Sequence, residues 1–115
     1  MPMKTSEINF KVKLDENNIP ENIEWEATDS GEKGLKACKS LMISMWDKEE
    51  NNTLRIDLWT KDMLVDEMKR FYHQILLSMA DNFEKATGED KIAGDMRDFS
   101  EYFAEKMEII KPTNQ

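Results

Sequence analysis

The chain has 115 residues, 39% of them hydrophobic, and carries 24 Asp plus Glu against 16 Lys plus Arg, a net charge of −8. That length makes one domain able to bury a core without disulfide or metal staples. The acidic balance disfavours nucleic acid and anionic membrane surfaces as partners, because both select basic patches.

Residues 7–14, EINFKVKL, alternate without a fault: Ile8, Phe10, Val12 and Leu14 against Glu7, Asn9, Lys11 and Lys13. Such a period of two predicts a half-buried strand. DENNIP, residues 15–20, supplies Asp and Asn for turn hydrogen bonds and a proline to end it. Glu21 to Asp29 alternates again, with Ile23, Trp25 and Ala27 on one face. If the residue numbers of the two strands sum to 35, Val12 meets Ile23, Phe10 meets Trp25 and Ile8 meets Ala27. Lys11 then stands across from Glu24, a favourable cross-strand pair. A slip of one residue would send every apolar group into water, so this register is the expectation.

Residues 30–38, SGEKGLKAC, hold two of the four glycines and no clear period. They read as a flexible loop, with a short turn of helix at its end. A third strand, Ser40 to Trp46, is apolar on both faces, and DKEENN turns the chain into a fourth, Thr53 to Trp59. Pairing with numbers summing to 99 sets Met45 on Leu54, Ile43 on Ile56 and Leu41 on Leu58, all expected to face inward.

Trp59 to Ala86 reads as an amphipathic helix. Leu64, Val65, Met68, Phe71, Tyr72, Ile75, Leu76, Met79, Phe83 and Ala86 fall within an arc of roughly 140° at about 100° per residue. Thr60 is the expected N-cap, Asp62 complements the helix dipole, and Trp59 is placed as a hydrophobic staple on Leu64. Gly88 suits a left-handed residue just beyond the helix end. A second helix, Glu89 to about Ile109, carries a narrower stripe of Ile92, Met96, Phe99, Phe103, Met107 and Ile110.

The expected architecture is therefore α+β, in the order ββββαα. A four-stranded antiparallel sheet of two hairpins is followed by two C-terminal helices packed on one face. Residues 1–115 form one domain, with frayed tails at 1–6 and 111–115. A first helix of about 26 residues spans roughly 39 Å, against about 23 Å for a seven-residue strand. Such an overhanging helix predicts a homodimer or higher assembly.

Catalytic chemistry finds no foothold. The lone histidine, His73, lies opposite the apolar arc with no carboxylate three or four residues away, and reads as a surface residue. One cysteine, Cys38, cannot form an internal disulfide or a cysteine-based metal site. Neighbouring lysines in Lys36-Ala37-Cys38-Lys39 would lower its pKa, yet with no His or Asp partner it reads as an inert thiol. There is no glycine-rich phosphate loop, serine nucleophile motif or calcium-loop spacing. No run approaches the roughly 20 apolar residues of a membrane span. The N-terminus MPMKTSEINF lacks the apolar core of a signal peptide. The expectation is a cytoplasmic, non-enzymatic protein with no cofactor, no metal, no nucleic acid and no membrane insertion.

What remains is apolar surface. On the outer face of the second hairpin the alternation places Met42, Trp46 and Trp59, with Ser44, Arg55 and Asp57 between them. Aromatic and methionine side chains rimmed by charge form the expected partner-binding residues. The alternative is that the 30–39 loop folds over them as a small satellite core.

The stretch LRIDLWTKDMLVDEMKRFYHQILLSMADNF, residues 54–83, closely resembles the gliding motility protein GldC family. So do FKVKLDENNIPENIEWEATDSG at 10–31, SMWDKEE at 44–50 and MRDFSEYFAEKMEI at 96–109. That resemblance implies a soluble accessory component of the gliding machinery, acting through protein–protein contact, with a partner in the gliding or secretion apparatus. It carries no catalytic motif, enzymatic activity or cofactor. The ββββαα order is also similar to that of the export chaperone SecB, by layout alone, which leaves binding of unfolded or nascent chains as a second reading.

Overall fold

The structure, a computed structural model, describes residues 3–29 and 34–109. Within them the elements are β1 (Ile8–Leu14), β2 (Pro20–Ala27), β3 (Lys36–Cys38), β4 (Ser40–Asp47), β5 (Asn52–Trp59), α1 (Val65–Thr87) and α2 (Asp90–Lys106). The chain divides between Met63 and Leu64 into two compact units.

The first unit is all β. Its strands β1 and β2 pair antiparallel in the expected register, with Ile8 opposite Ala27, Phe10 opposite Trp25, Lys11 opposite Glu24 and Val12 opposite Ile23. The ladder shifts only at Lys13/Leu14, where it meets the turn. That turn is held by Asp15, whose Oδ1 accepts the backbone N–H groups of Asn17 at 2.8 Å and Ile19 at 3.0 Å. The second ladder also follows expectation, with Leu41 opposite Leu58, Ile43 opposite Ile56 and Met45 opposite Leu54. Its turn is closed by Asp47, which accepts from Glu50 N–H at 2.7 Å.

The four-stranded sheet is not formed. Five strands lie in two sheets instead, one ordered β1-β2-β3 and one made of β4 and β5. The difference arises in the segment read as a loop. Residues 36–38 pair antiparallel with the free edge of β2, placing Cys38 opposite Ile23 and Lys36 opposite Trp25. With β3 in that position the β2 edge is taken, so β4 starts a separate ladder. Residues 30–33 of that expected loop lie outside the described residues, as do 1, 2 and 110–115 of the expected tails and stripe. Ile23, fully buried on the central strand, is the largest such side chain. Leu41 is the only other apolar side chain of this unit that is buried among the described residues.

The two sheets are tied at one corner. Thr60 N–H donates to Lys39 O at 2.8 Å, and Lys61 N–H donates to Pro20 O at 3.1 Å. Lys61 Nζ bridges Asp15 and Glu21, each at 3.1 Å. Thr60 is therefore not the helix cap that its position suggested. It is buried, and its hydroxyl lies 3.3 Å from Lys39 O and within bonding distance of the Asp62 carboxylate.

The second unit is a helical hairpin. Its first helix begins at Val65, so neither Thr60 nor Trp59 stands at its entry; Leu64 is the N-cap residue, and its N–H donates to Glu67 Oε1 at 2.9 Å. Gly88 ends the helix as expected, at φ 74°, with its N–H on Glu84 O at 2.7 Å. Packing between the helices runs along small residues. Ala80 of α1 and Ala93, Ser100 and Ala104 of α2 are fully buried. The spacing of seven and four on α2 makes one stripe, and Ser100 satisfies its hydroxyl on Met96 O at 2.9 Å.

Ala80 lies just beyond the Leu76 edge of the apolar arc on the helical wheel, about 110° from its centre. The contact with α2 therefore lies at the edge of the arc and on the side beyond it that was expected to face water, where His73 is half-buried rather than a surface residue. No side chain of the arc is fully buried; Tyr72, Met79 and Phe83 are exposed, while Met68, Phe71 and Ile75 are half-buried. The cause is steric. Alanine and serine let two backbones approach closely, which a row of Phe, Met and Ile would prevent.

Candidate functional site

The β4–β5 hairpin presents two faces because its strands alternate. One carries Leu41, Ile43 and Met45 against Leu58, Ile56 and Leu54. The other carries Ser40, Met42, Ser44 and Trp46 against Trp59, Asp57, Arg55 and Thr53. The three residues read from the sequence thus share one face. Met42 and Trp59 are diagonal neighbours across the ladder, a spacing of roughly 7–8 Å. Trp46 stands four residues farther along β4.

Exposure differs along this face. Trp46 is 68% exposed and Trp59 56%, while Met42 is half-buried. Residues 36–38 of the loop proposed as their cover lie on β2 instead. Between the two indoles sits a polar clasp. Arg55 donates from Nη1 to Ser44 Oγ at 2.5 Å, and from Nε and Nη2 to the two Asp57 oxygens at 3.2 and 2.9 Å. The bidentate geometry fixes the guanidinium on Asp57, so the face reads as ring, charge, ring. Trp59 also borders an open cleft of about 220 Å³ with Ile19, Pro20, Asp57 and Leu58.

A further cleft of about 290 Å³ is lined by Glu21, Asn22, Ala37, Cys38, Lys39, Thr60 and Asp62. Burial pushes the Cys38 thiol up, against a smaller lowering from the Ser40 backbone N–H. The lysine-driven lowering expected from its neighbours is therefore reversed, because partial burial disfavours the thiolate. The Thr60 hydroxyl, and after it Lys39, holds the Asp62 carboxyl below its usual range. Among the described residues no three His, Cys, Asp or Glu side chains cluster so as to hold a metal ion. No described helix is long and apolar enough to cross a membrane.

Sequence reasoning missed the openness of the hairpin's other face. Met45, Leu54 and Ile56, expected inside, are all exposed. Alternation shows that two apolar residues share a face, but not whether anything covers it.

Comparison with curated proteins and with solved structures returns no match. The family described as gliding motility-associated protein GldC-like matches residues 20–109, which span β2 through α2. With more than three quarters of its length matched, the chain belongs to the GldC-like family.

Proposed function

We propose that this protein is a non-catalytic accessory component of the gliding motility machinery that works in the cytoplasm by docking a protein partner. The observation that carries this reading is the outer face of β4–β5, where two exposed indoles flank the Arg55–Asp57 clasp. Tryptophan and arginine are the side chains most often found at the centre of protein interfaces. Covering three such residues removes enough apolar area for a hot-spot cluster, at about 25 cal/mol per Å². Membership of a gliding motility-associated family supports a partner in the gliding or secretion apparatus.

The test is quantitative capture from gliding cells with the full chain and its Trp46→Ser variant. One partner should be retained by the wild type and lost by at least about tenfold with Trp46→Ser. Equal retention by both chains overturns the assignment of this face.

A second reading, a SecB-like binder of unfolded or nascent chains, is favoured by a different observation. Exposed apolar side chains extend beyond the hairpin to Ile8, Phe10 and Leu14 on β1. Such a protein suppresses aggregation of unrelated denatured clients, whereas a specific docker leaves them to aggregate.

A further inference from the structure

The strand β1 lies at the outside of the β1-β2-β3 sheet and, among the described residues, pairs only with β2. Its first bonds show which way its backbone groups point. Thr28 N–H donates to Glu7 O at 3.0 Å, and Glu7 N–H donates to Thr28 Oγ1 at 3.1 Å. Glu7 therefore faces β2, and by the alternation of an antiparallel ladder so do Asn9, Lys11 and Lys13. The N–H and C=O groups of Ile8, Phe10 and Val12 point the other way, to the open edge. That edge is seven residues long, holds no proline, and its ladder shifts only at Lys13/Leu14. Lys11 and Lys13 are the charges that guard it, and they decide which strand can enter.

We infer that a second copy of this chain enters at this edge, β1 on β1 in antiparallel order about a two-fold axis at Phe10, joining two three-stranded sheets into one of six. A strand that pairs with itself keeps its faces matched only if the paired residue numbers have an even sum. Charge then selects among the registers. With a sum of 22, Lys11 stands on the second copy's Lys11, and with 24 on its Lys13, like charges directly opposed. A sum of 18 carries Val12 onto Ser6 and Leu14 onto Lys4. A sum of 20 sets Phe10 on Phe10, Ile8 on Val12, Asn9 on Lys11 and Glu7 on Lys13. Ile8, Phe10 and Val12 then each meet an apolar residue, and opposite charges close both ends. The same register makes Phe10 with Phe10, and Ile8 with Val12, hydrogen-bonded pairs, because their groups are the ones that point outward. About six backbone bonds form across the axis. Residue i meets j and j meets i, as two-fold symmetry requires. The strand β5 is also an edge with both signs of charge, but its Arg55 and Asp57 already hold each other. The β1 edge is separate from the outer face of β4–β5 and independent of the docking role proposed there.

Sedimentation velocity of the full chain should show a dimer at micromolar to millimolar concentration. Glu7→Lys should weaken it about tenfold by setting lysine on Lys13 twice over. Net charge alone would predict the opposite, since this change takes each copy from −8 to −6. Lys13→Glu should weaken it similarly, and an equimolar mixture of the two variants should dimerise again, because every opposed pair then joins unlike charges. Trp46→Ser should leave the dimer unchanged. Residue-resolved hydrogen exchange needs no variant: amides of Ile8, Phe10 and Val12 should gain protection with protein concentration, whereas those of Asn9, Lys11 and Lys13 are already held by β2 and should not change. A monomer throughout the range overturns the inference, as does a mixture no tighter than its single variants, or concentration-dependent protection that spares Ile8, Phe10 and Val12. Alternate protection gained only with cell extract overturns it too, and assigns the edge to another protein's strand.

Discussion

Arg97 of α2 grips Asp81 of α1 with two donors on one oxygen, Nε at 3.2 Å and Nη2 at 2.9 Å from Oδ1. Its Nη1 meanwhile donates to Glu84 at 2.8 Å. Three charges on two helices thereby set the register of the hairpin from its polar side. Asp81, then Glu84, keep the guanidinium even more firmly protonated than usual. All three groups face water, so the effect on stability is small. Arg97→Met should lower the thermal midpoint by a few degrees at most in dilute buffer. In molar salt the difference should vanish, because screening removes what the pairs contribute. A deficit that persists at high salt would mean that the aliphatic stem of Arg97, not its charge, matters.

The seam beside that clasp leaves no room for growth. Ala80→Leu should cost about 1–3 kcal/mol in denaturant melts, because a side chain added at a fully buried position must push the helices apart. Ile23→Ala should cost about 2–5 kcal/mol, since it opens a cavity under the central strand of the three-stranded sheet. Phe71→Ala and Ile75→Ala, within the sequence-predicted arc but only half-buried, should each cost less than Ile23→Ala. The reverse order would show that the arc side of α1 is packed more tightly than the buried centre of the three-stranded sheet.

Gly88 adopts φ 74°, a region in which an added Cβ is strained although the space around it is open. Gly88→Ala should destabilise the protein by about 1 kcal/mol, and Gly88→Asn by less, since asparagine tolerates this region. Urea denaturation of the three chains checks the ranking.

Asp15 and Lys61 link stability to pH at both extremes. The Ile19 backbone N–H, and then Lys61, hold the Asp15 carboxyl below its ordinary 3.8. A carboxyl whose pKa is depressed by folding stabilises the protein above its unfolded pKa. That contribution is lost as pH falls below about 4. Glu21, and then Asp15, raise the Lys61 ammonium above its ordinary 10.5. Its contribution is complete below that value and is lost as pH rises through the folded pKa. Asp15→Asn should flatten the acid limb of a stability–pH profile, and Lys61→Met the alkaline limb. An acid limb identical in wild type and Asp15→Asn would assign the loss to other carboxylates.

The two exposed tryptophans should behave differently in isolation. Trp46 is 68% exposed at the far end of the face, so Trp46→Ser should leave the melting temperature nearly unchanged. Trp59 also walls the cleft with Ile19 and Pro20, so Trp59→Ser should lower it measurably. Thermal melts of both variants, read by circular dichroism, decide the point.

Both ladder registers are legible in the sequence alone, the first from numbers summing to 35 and the second from numbers summing to 99. The reason is local: strands of strict alternation can pair in only one way that keeps Phe10 with Trp25 and Ile43 with Ile56 on common faces. The sharing of one face by Met42, Trp46 and Trp59 follows from the same arithmetic, and the Gly88 helix end from its conformational freedom alone. Other features depend on distant partners that no short stretch encodes. Lys36–Cys38 has no period of its own and becomes a strand only because the β2 edge is there to pair with it. The helix starts at Val65 because the Thr60 backbone and hydroxyl are already engaged at the Lys39 corner. Which side of α1 meets α2 was decided by Ala80, Ala93, Ser100 and Ala104, since close helix packing follows the smallest side chains rather than the broadest apolar arc.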